Sequence, residues 1–122
     1  MTRPASDLDG FRLWPGLLDR AAQEALRDEV FTRMRDGPFY IPRMPKSGLP
    51  MRVRLTNFGA LGWVTDKEHG YRYQDPHPET GRPWPEMPPQ VLTLWRELSG
   101  YDADPEACLV NLYEGDARMG LH

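Results

Sequence analysis

The chain has 122 residues, which limits it to one domain, and its single cysteine excludes an internal disulfide. A mean hydropathy of −0.66, with 39% hydrophobic residues, excludes a membrane span and leaves a thin core, while 13 aromatic residues exclude a solvated disordered tail. The net charge of −3 argues against a general nucleic-acid binder, but it is unevenly spread. Residues 37–65 hold no acidic side chain and four cations, Arg43, Lys46, Arg52 and Arg54. Such a stretch is either a solvated basic loop or a segment facing phosphates.

Met1 to Asp9 is polar and reads as a frayed end, and Phe11 to Trp14 alternates apolar and polar as a short strand does. Asp19 is suited to cap a helix in which Leu18, Ala22, Leu26, Val30 and Met34 form one apolar stripe. Arg33 and Arg35 fall in its last turn and Gly37-Pro38 ends it. Phe39 to Pro50 reads as loop. Met51 to Leu55 alternates strictly, so a strand is expected with Met51, Val53 and Leu55 on one face and Arg52 and Arg54 on the other. Thr56 to Trp63 reads as a glycine-rich loop displaying Trp63, followed by Gly70-Tyr71-Arg72-Tyr73 with both tyrosines on one face. These rings beside a basic strand suit base stacking and phosphate contact, or equally core packing and cross-strand pairing.

Asp75 to Pro89 is a proline-rich loop in which Trp84 is expected to plug the core, and His69 and His77 read as surface residues without ligand spacing. Val91, Leu94, Trp95 and Leu98 predict an amphipathic helix closed by Gly100. Asp102, Asp104 and Glu106 follow as a solvated linker rather than a calcium loop. Cys108 to Leu112 is strand-like, with Cys108 an inert core thiol. Asn111 and Tyr113 project from one face, Glu114-Gly115-Asp116 is a turn, and a second extended run from Arg118 delivers His122. An amide, a phenol and an imidazole so placed suit an anionic ligand beside a metal, and also suit ordinary structural roles.

Four strings in this order resemble the AlkB family of iron(II)- and 2-oxoglutarate-dependent dioxygenases. They are Thr56-Asn57-x-Gly59-x-x-Gly62-Trp63, Gly70-Tyr71-x-Tyr73, Pro83-Trp84-Pro85-Glu86-Met87-Pro88, and Asn111-x-Tyr113 with a later Leu121-His122. The resemblance implies an α+β fold, the N-terminal part of a double-stranded β-helix (jelly roll) with two packing helices and a nucleotide-recognition lid. It implies Fe(II) and 2-oxoglutarate as cofactors, with Asn111 and Tyr113 binding the cosubstrate and His122 as catalytic iron ligand, the first of a two-His, one-carboxylate set whose other members would follow it. Trp63 would stack on a flipped base, Tyr71 would hold the backbone, and Met51 and Leu55 would wall the base pocket. The implied reaction is oxidative removal of an N-alkyl group from a nucleobase in DNA or RNA: hydroxylation of the alkyl carbon, then collapse to an aldehyde and the repaired base. The implied partner is alkylated nucleic acid, single-stranded or with the base flipped. Residues 1–122 are thus expected to form one incomplete AlkB-like domain, inactive by itself, monomeric, cytoplasmic and free of membrane. The competing expectations are a non-catalytic nucleic-acid-binding fragment and a family dioxygenase acting on a protein. A one-residue-longer Trp63–Tyr71 connection and bulky Phe58 bear on substrate range.

Overall fold

The computed structural model describes residues 3–4 and 6–120. Along the chain lie β1 (Ser6–Leu8), β2 (Phe11–Leu13), α1 (Arg20–Arg33), β3 (Arg54–Gly59), β4 (Gly62–Asp66), β5 (Gly70–Gln74), α2 (Pro89–Leu98) and β6 (Ala107–Leu112). The strands pair antiparallel two by two, β1 with β2, β3 with β6 and β4 with β5. The architecture is therefore α+β, and among the described residues no helix is long and apolar enough to cross a membrane.

Both helices form where the apolar stripes predict them. Asp19 caps α1, its carboxylate accepting the Ala22 N–H at 2.8 Å, which satisfies one of the unpaired donors of the first turn. Proline at the start of α2 costs nothing, because that N–H has no helical partner, and Gly100 at φ 71° takes the left-handed position after Ser99. Neither helix has a fully buried residue. Arg33 ties α1 to the proline-rich loop by donating to the Glu86 carbonyl at 2.8 Å.

Four sequence expectations are corrected. The N-terminal stretch read as frayed contains β1, closed onto β2 through Asp9 and Gly10, both at positive φ. The strand expected over Met51–Leu55 starts only at Arg54. Before it, Pro50 pairs in an isolated bridge with Arg43 and Met51 N–H donates to the Pro42 carbonyl, so that segment belongs to the loop that crosses it. The segment read as a loop, Thr56–Trp63, is mostly strand, and Thr56, Asn57 and Phe58 are fully buried. Its glycines mark close approaches: a Cβ on Gly62 would lie 2.2 Å from the Trp84 ring, and one on Gly59 would lie 2.6 Å from the Glu106 carbonyl oxygen. His77, read as a surface residue, is 1% exposed. Its Nε2 donates to the Pro38 carbonyl at 2.8 Å, while Nδ1 accepts the N–H groups of Glu79 and Thr80 at 3.0 and 3.2 Å. Those bonds fix one neutral tautomer, and the ring packs against Tyr40 and Trp84.

The core is Tyr40, Leu55, Val64 and Trp84, with Trp63 packed against it. Trp84 plugs it as expected, its indole N–H donating to the Gln74 carbonyl at 2.9 Å. Tyr40 lies beside β3, exchanging both backbone hydrogen bonds with Leu55.

Candidate active site

Two surfaces carry the residues singled out by the sequence. The first is one face of the β4–β5 hairpin. Its register pairs Trp63 with Tyr73 and Thr65 with Tyr71, so these four side chains share a face. Trp63 and Tyr71 sit on a diagonal of that face and their rings stack, 5.5 Å between centroids at 26°. Trp63 is half-buried in a strand, which corrects its placement in a mobile loop; Tyr71 is 61% exposed. Asn57 holds the Trp63 backbone from β3: its Oδ1 accepts the Trp63 N–H and its Nδ2 donates to the Trp63 carbonyl, both at 3.0 Å. The Tyr40 hydroxyl donates to the same carbonyl at 3.3 Å, and burial pushes that phenol's pKa well above its usual value. At the hairpin end, a hydrogen bond from Arg72 holds the Asp66 carboxyl below the usual carboxylate range. The basic loop runs along this hairpin, with Arg43 N–H donating to the Thr65 carbonyl at 3.3 Å and Gly48 against the Lys67 stem.

The second surface is the C-terminal end of β6. Asn111 pairs with Leu55 across the β3–β6 ladder and so lies on the Leu55 side of that sheet. Asn111 and Tyr113 are both exposed, and neither side chain makes a hydrogen bond among the described residues. Gly115 at φ 60° turns the chain after them, and Asp116 is anchored to Arg52 at 2.6 Å. Met51 lies at the end of β6, where a cavity of about 220 Å³ is lined by Met51, Arg52, Arg54, Leu112 and Glu114 among others. Cys108 is partly buried and its thiol pKa is raised by desolvation, as an inert thiol requires.

The structure does not unite every candidate. Leu55 lies in the closed core with Tyr40 and Val64, so in this structure it walls no open pocket. In the second extended run, expected over Arg118–Leu121, residues 118–120 pair in no strand, and Leu121 and His122 lie outside the described residues. Sequence reasoning named Asn57 only within the Thr56–Trp63 string, with no role of its own, and assigned no part to Tyr40 or Thr65. For Asn57 a signal existed, since an asparagine inside an apolar strand is disfavoured unless its amide is bonded.

Residues 10–122 match the model of the 2OG-Fe(II) oxygenase superfamily. The chain belongs to that superfamily. It is 50% identical over all 122 residues to the "Alpha-ketoglutarate-dependent dioxygenase AlkB homolog" of Caulobacter vibrioides, covering 54% of that protein. It is 41% identical over 107 residues to the "Alpha-ketoglutarate-dependent dioxygenase AlkB" of Salmonella typhimurium, and 38% identical over 106 residues to that of Escherichia coli. Each alignment takes in 84% of this chain and 48% of the relative. The AlkB resemblance of the motifs is thereby upheld, and the chain spans about half the length of the curated relatives it matches.

Membership in the superfamily brings Fe(II) and 2-oxoglutarate as cofactors. The described residues fit them unequally. The unengaged Asn111 amide and Tyr113 hydroxyl are suitable hydrogen-bonding partners for a dicarboxylate. No three His, Cys, Asp or Glu side chains converge on a metal position among the described residues. His77 has both ring nitrogens committed, and His69 is an exposed neighbour of Asp66. The described part of the chain therefore does not by itself hold iron.

Proposed function

We propose that this protein is an AlkB-type dioxygenase that removes N-alkyl groups from nucleobases. The observation that carries the proposal is the 50% identity, over every residue of the chain, to a relative named as an alpha-ketoglutarate-dependent dioxygenase. The half-buried Trp63 stacked with exposed Tyr71, beside an acid-free basic segment, supports a nucleobase as the substrate. In this proposal the small sheets are part of a double-stranded β-helix, the β4–β5 hairpin with the basic loop is the nucleotide-recognition lid, and His122 is an iron ligand. The protein acts as a monomer on single-stranded nucleic acid or on a base flipped from a duplex.

When bound, iron and 2-oxoglutarate would activate dioxygen, which is the oxidant for hydroxylation of the alkyl carbon while 2-oxoglutarate is converted to succinate. The chain's own residues bind and orient. Trp63, anchored through Asn57 and Tyr40, offers a planar surface at a fixed position, while Arg43, Lys46 and Arg54 present charge to phosphates. Met51 lies at the cavity beside the end of β6, and Asn111 and Tyr113 hydrogen-bond the cosubstrate carboxylates. A base whose alkylation adds positive charge pairs badly, which lowers the cost of extruding it.

The direct test, made with these residues in a chain of the relatives' full length, is succinate formation coupled to loss of the methyl group from an oligonucleotide bearing one N-methylated base. Succinate release that the methylated oligonucleotide does not stimulate would count against a nucleobase substrate. Two substitutions sharpen the assignment. Tyr113→Phe removes one hydrogen bond to a charged group, of about 1.5–3 kcal/mol, so the apparent 2-oxoglutarate constant should rise at least about tenfold. Because Tyr113 is exposed, its melting temperature should hardly move; a collapse in stability with an unchanged constant would make it a structural residue. Trp63→Ala removes a stacking surface of roughly 1–3 kcal/mol and should weaken oligonucleotide binding about five- to hundred-fold per folded molecule. Its packing on the core means that a fall in melting temperature accompanies this loss. Unaltered affinity of the folded fraction would assign Trp63 to the core alone.

A further inference from the structure

Thr65 is 4% exposed, and its hydroxyl has no hydrogen-bond partner among the described residues. A buried hydroxyl without a partner lowers stability and calls for an explanation. Its position offers one. Thr65 lies two residues from Trp63 on the same strand face and directly across from Tyr71. The diagonal stacking of Tyr71 on Trp63 therefore carries the tyrosine ring from the Thr65 pairing position toward the indole. Tyr71 thus reaches the indole from the strand position paired with Thr65.

The two rings differ in how they are held. The Trp63 backbone is bonded by Asn57 at both N–H and carbonyl and by Tyr40 at the carbonyl. Tyr71 is largely exposed, its phenol makes no hydrogen bond among the described residues, and it follows Gly70 at φ 69°. Of the pair, Tyr71 is the ring able to leave.

We propose that Tyr71 occupies the base position on Trp63 in the free protein, and that when an N-alkylated base displaces it, the Thr65 hydroxyl hydrogen-bonds the edge of that base. The inference rests on the nucleobase assignment above and adds a specificity residue to it. A planar heterocycle stacked where Tyr71 now lies brings an edge over Thr65, whose hydroxyl serves a ring carbonyl as donor or an exocyclic amine as acceptor. The orphaned hydroxyl thus gains its partner from the ligand.

Thr65→Val keeps the shape and removes the hydroxyl, and Thr65→Ser restores it. Binding of a single-stranded oligonucleotide with one N-methylated base is read by fluorescence anisotropy, and melting temperature is read on the same samples. Thr65→Val is expected to melt no lower than the parent, because it buries no orphaned polar atom, and to bind about tenfold more weakly. Thr65→Ser is expected to bind within about threefold of the parent. A lower melting temperature for Thr65→Val would show that the hydroxyl stabilises the free fold, and would overturn the inference whatever the binding. Parent-like binding by Thr65→Val, with binding lost in Trp63→Ala, would overturn the Thr65 contact and leave the base platform standing. If the parent and Trp63→Ala bind the oligonucleotide alike, the nucleobase assignment fails and the Thr65 contact with it.

Discussion

Trp84→Ala is expected to lower stability by about 3–5 kcal/mol, the usual consequence of removing a large aromatic from a core. Trp84 is 5% exposed, closes the cluster of Tyr40, Leu55 and Val64, packs on His77 and bonds the Gln74 carbonyl. At roughly 4 °C per kcal/mol for a domain of this size, the melting temperature should fall by about 12–20 °C. The partner residue gives a complementary test. A methyl on Gly62 would meet Trp84 ring atoms at 2.2–2.5 Å, so Gly62→Ala should cost at least about 1–3 kcal/mol through overpacking. Gly62 is not at positive φ, so the cost is steric. In Trp84→Ala the obstructing ring is gone, and adding Gly62→Ala should then cost little. Strict additivity of the two substitutions, measured by urea unfolding, would contradict the packing described.

The second large effect is expected at Asn57. Asn57→Leu removes the two hydrogen bonds to the Trp63 backbone and leaves the Trp63 N–H without its acceptor, at about 1–3 kcal/mol for each buried group left unpaired. Asn57→Asp is expected to be at least as harmful. Its oxygen can still accept the N–H, but a carboxylate then faces the Trp63 carbonyl in a site with no solvent exposure. Both variants should weaken methylated-oligonucleotide binding by releasing Trp63 from its fixed position. Unchanged unfolding midpoints would show that the clasp contributes nothing.

Much of this arrangement could be read from the sequence, for identifiable reasons. Helices α1 and α2 follow from local information: stripes of period 3.6, the Asp19 cap, and Gly37 and Gly100 as stops. Strand β6 was legible, one residue short, because Cys108, Leu109, Val110 and Leu112 form a short apolar run bounded by turn residues. Strand β3 was ended too early, at Leu55, and β4 was missed because Gly59 and Gly62 look like loop punctuation. They are there because another backbone and an indole approach too closely for any side chain. His77 lies among prolines and polar residues that resemble a surface loop, and its burial is decided by Pro38, Tyr40 and Trp84, none of them local. The site divides in the same way. Asn111, Tyr113, Trp63 and Tyr71 belong to motifs and could be named, whereas the Asn57 clasp and the orphaned Thr65 hydroxyl arise only when separate strands meet.

The pairing of β3 with β6 has a consequence for how the chain is made. Thr56, Asn57 and Phe58 are fully buried, yet the strand that completes their ladder is synthesised roughly fifty residues later. At translation rates of about 5–20 residues per second, β3 waits about 2.5–10 s for its partner. The clasp to Trp63, six residues on, needs no such delay. A nascent chain can therefore fasten β3 to β4 first and hold an apolar strand with one open edge until β6 arrives. That interval is when a chaperone has most to protect, and changes that weaken the clasp should lower the yield of soluble protein more than their effect on the finished fold suggests.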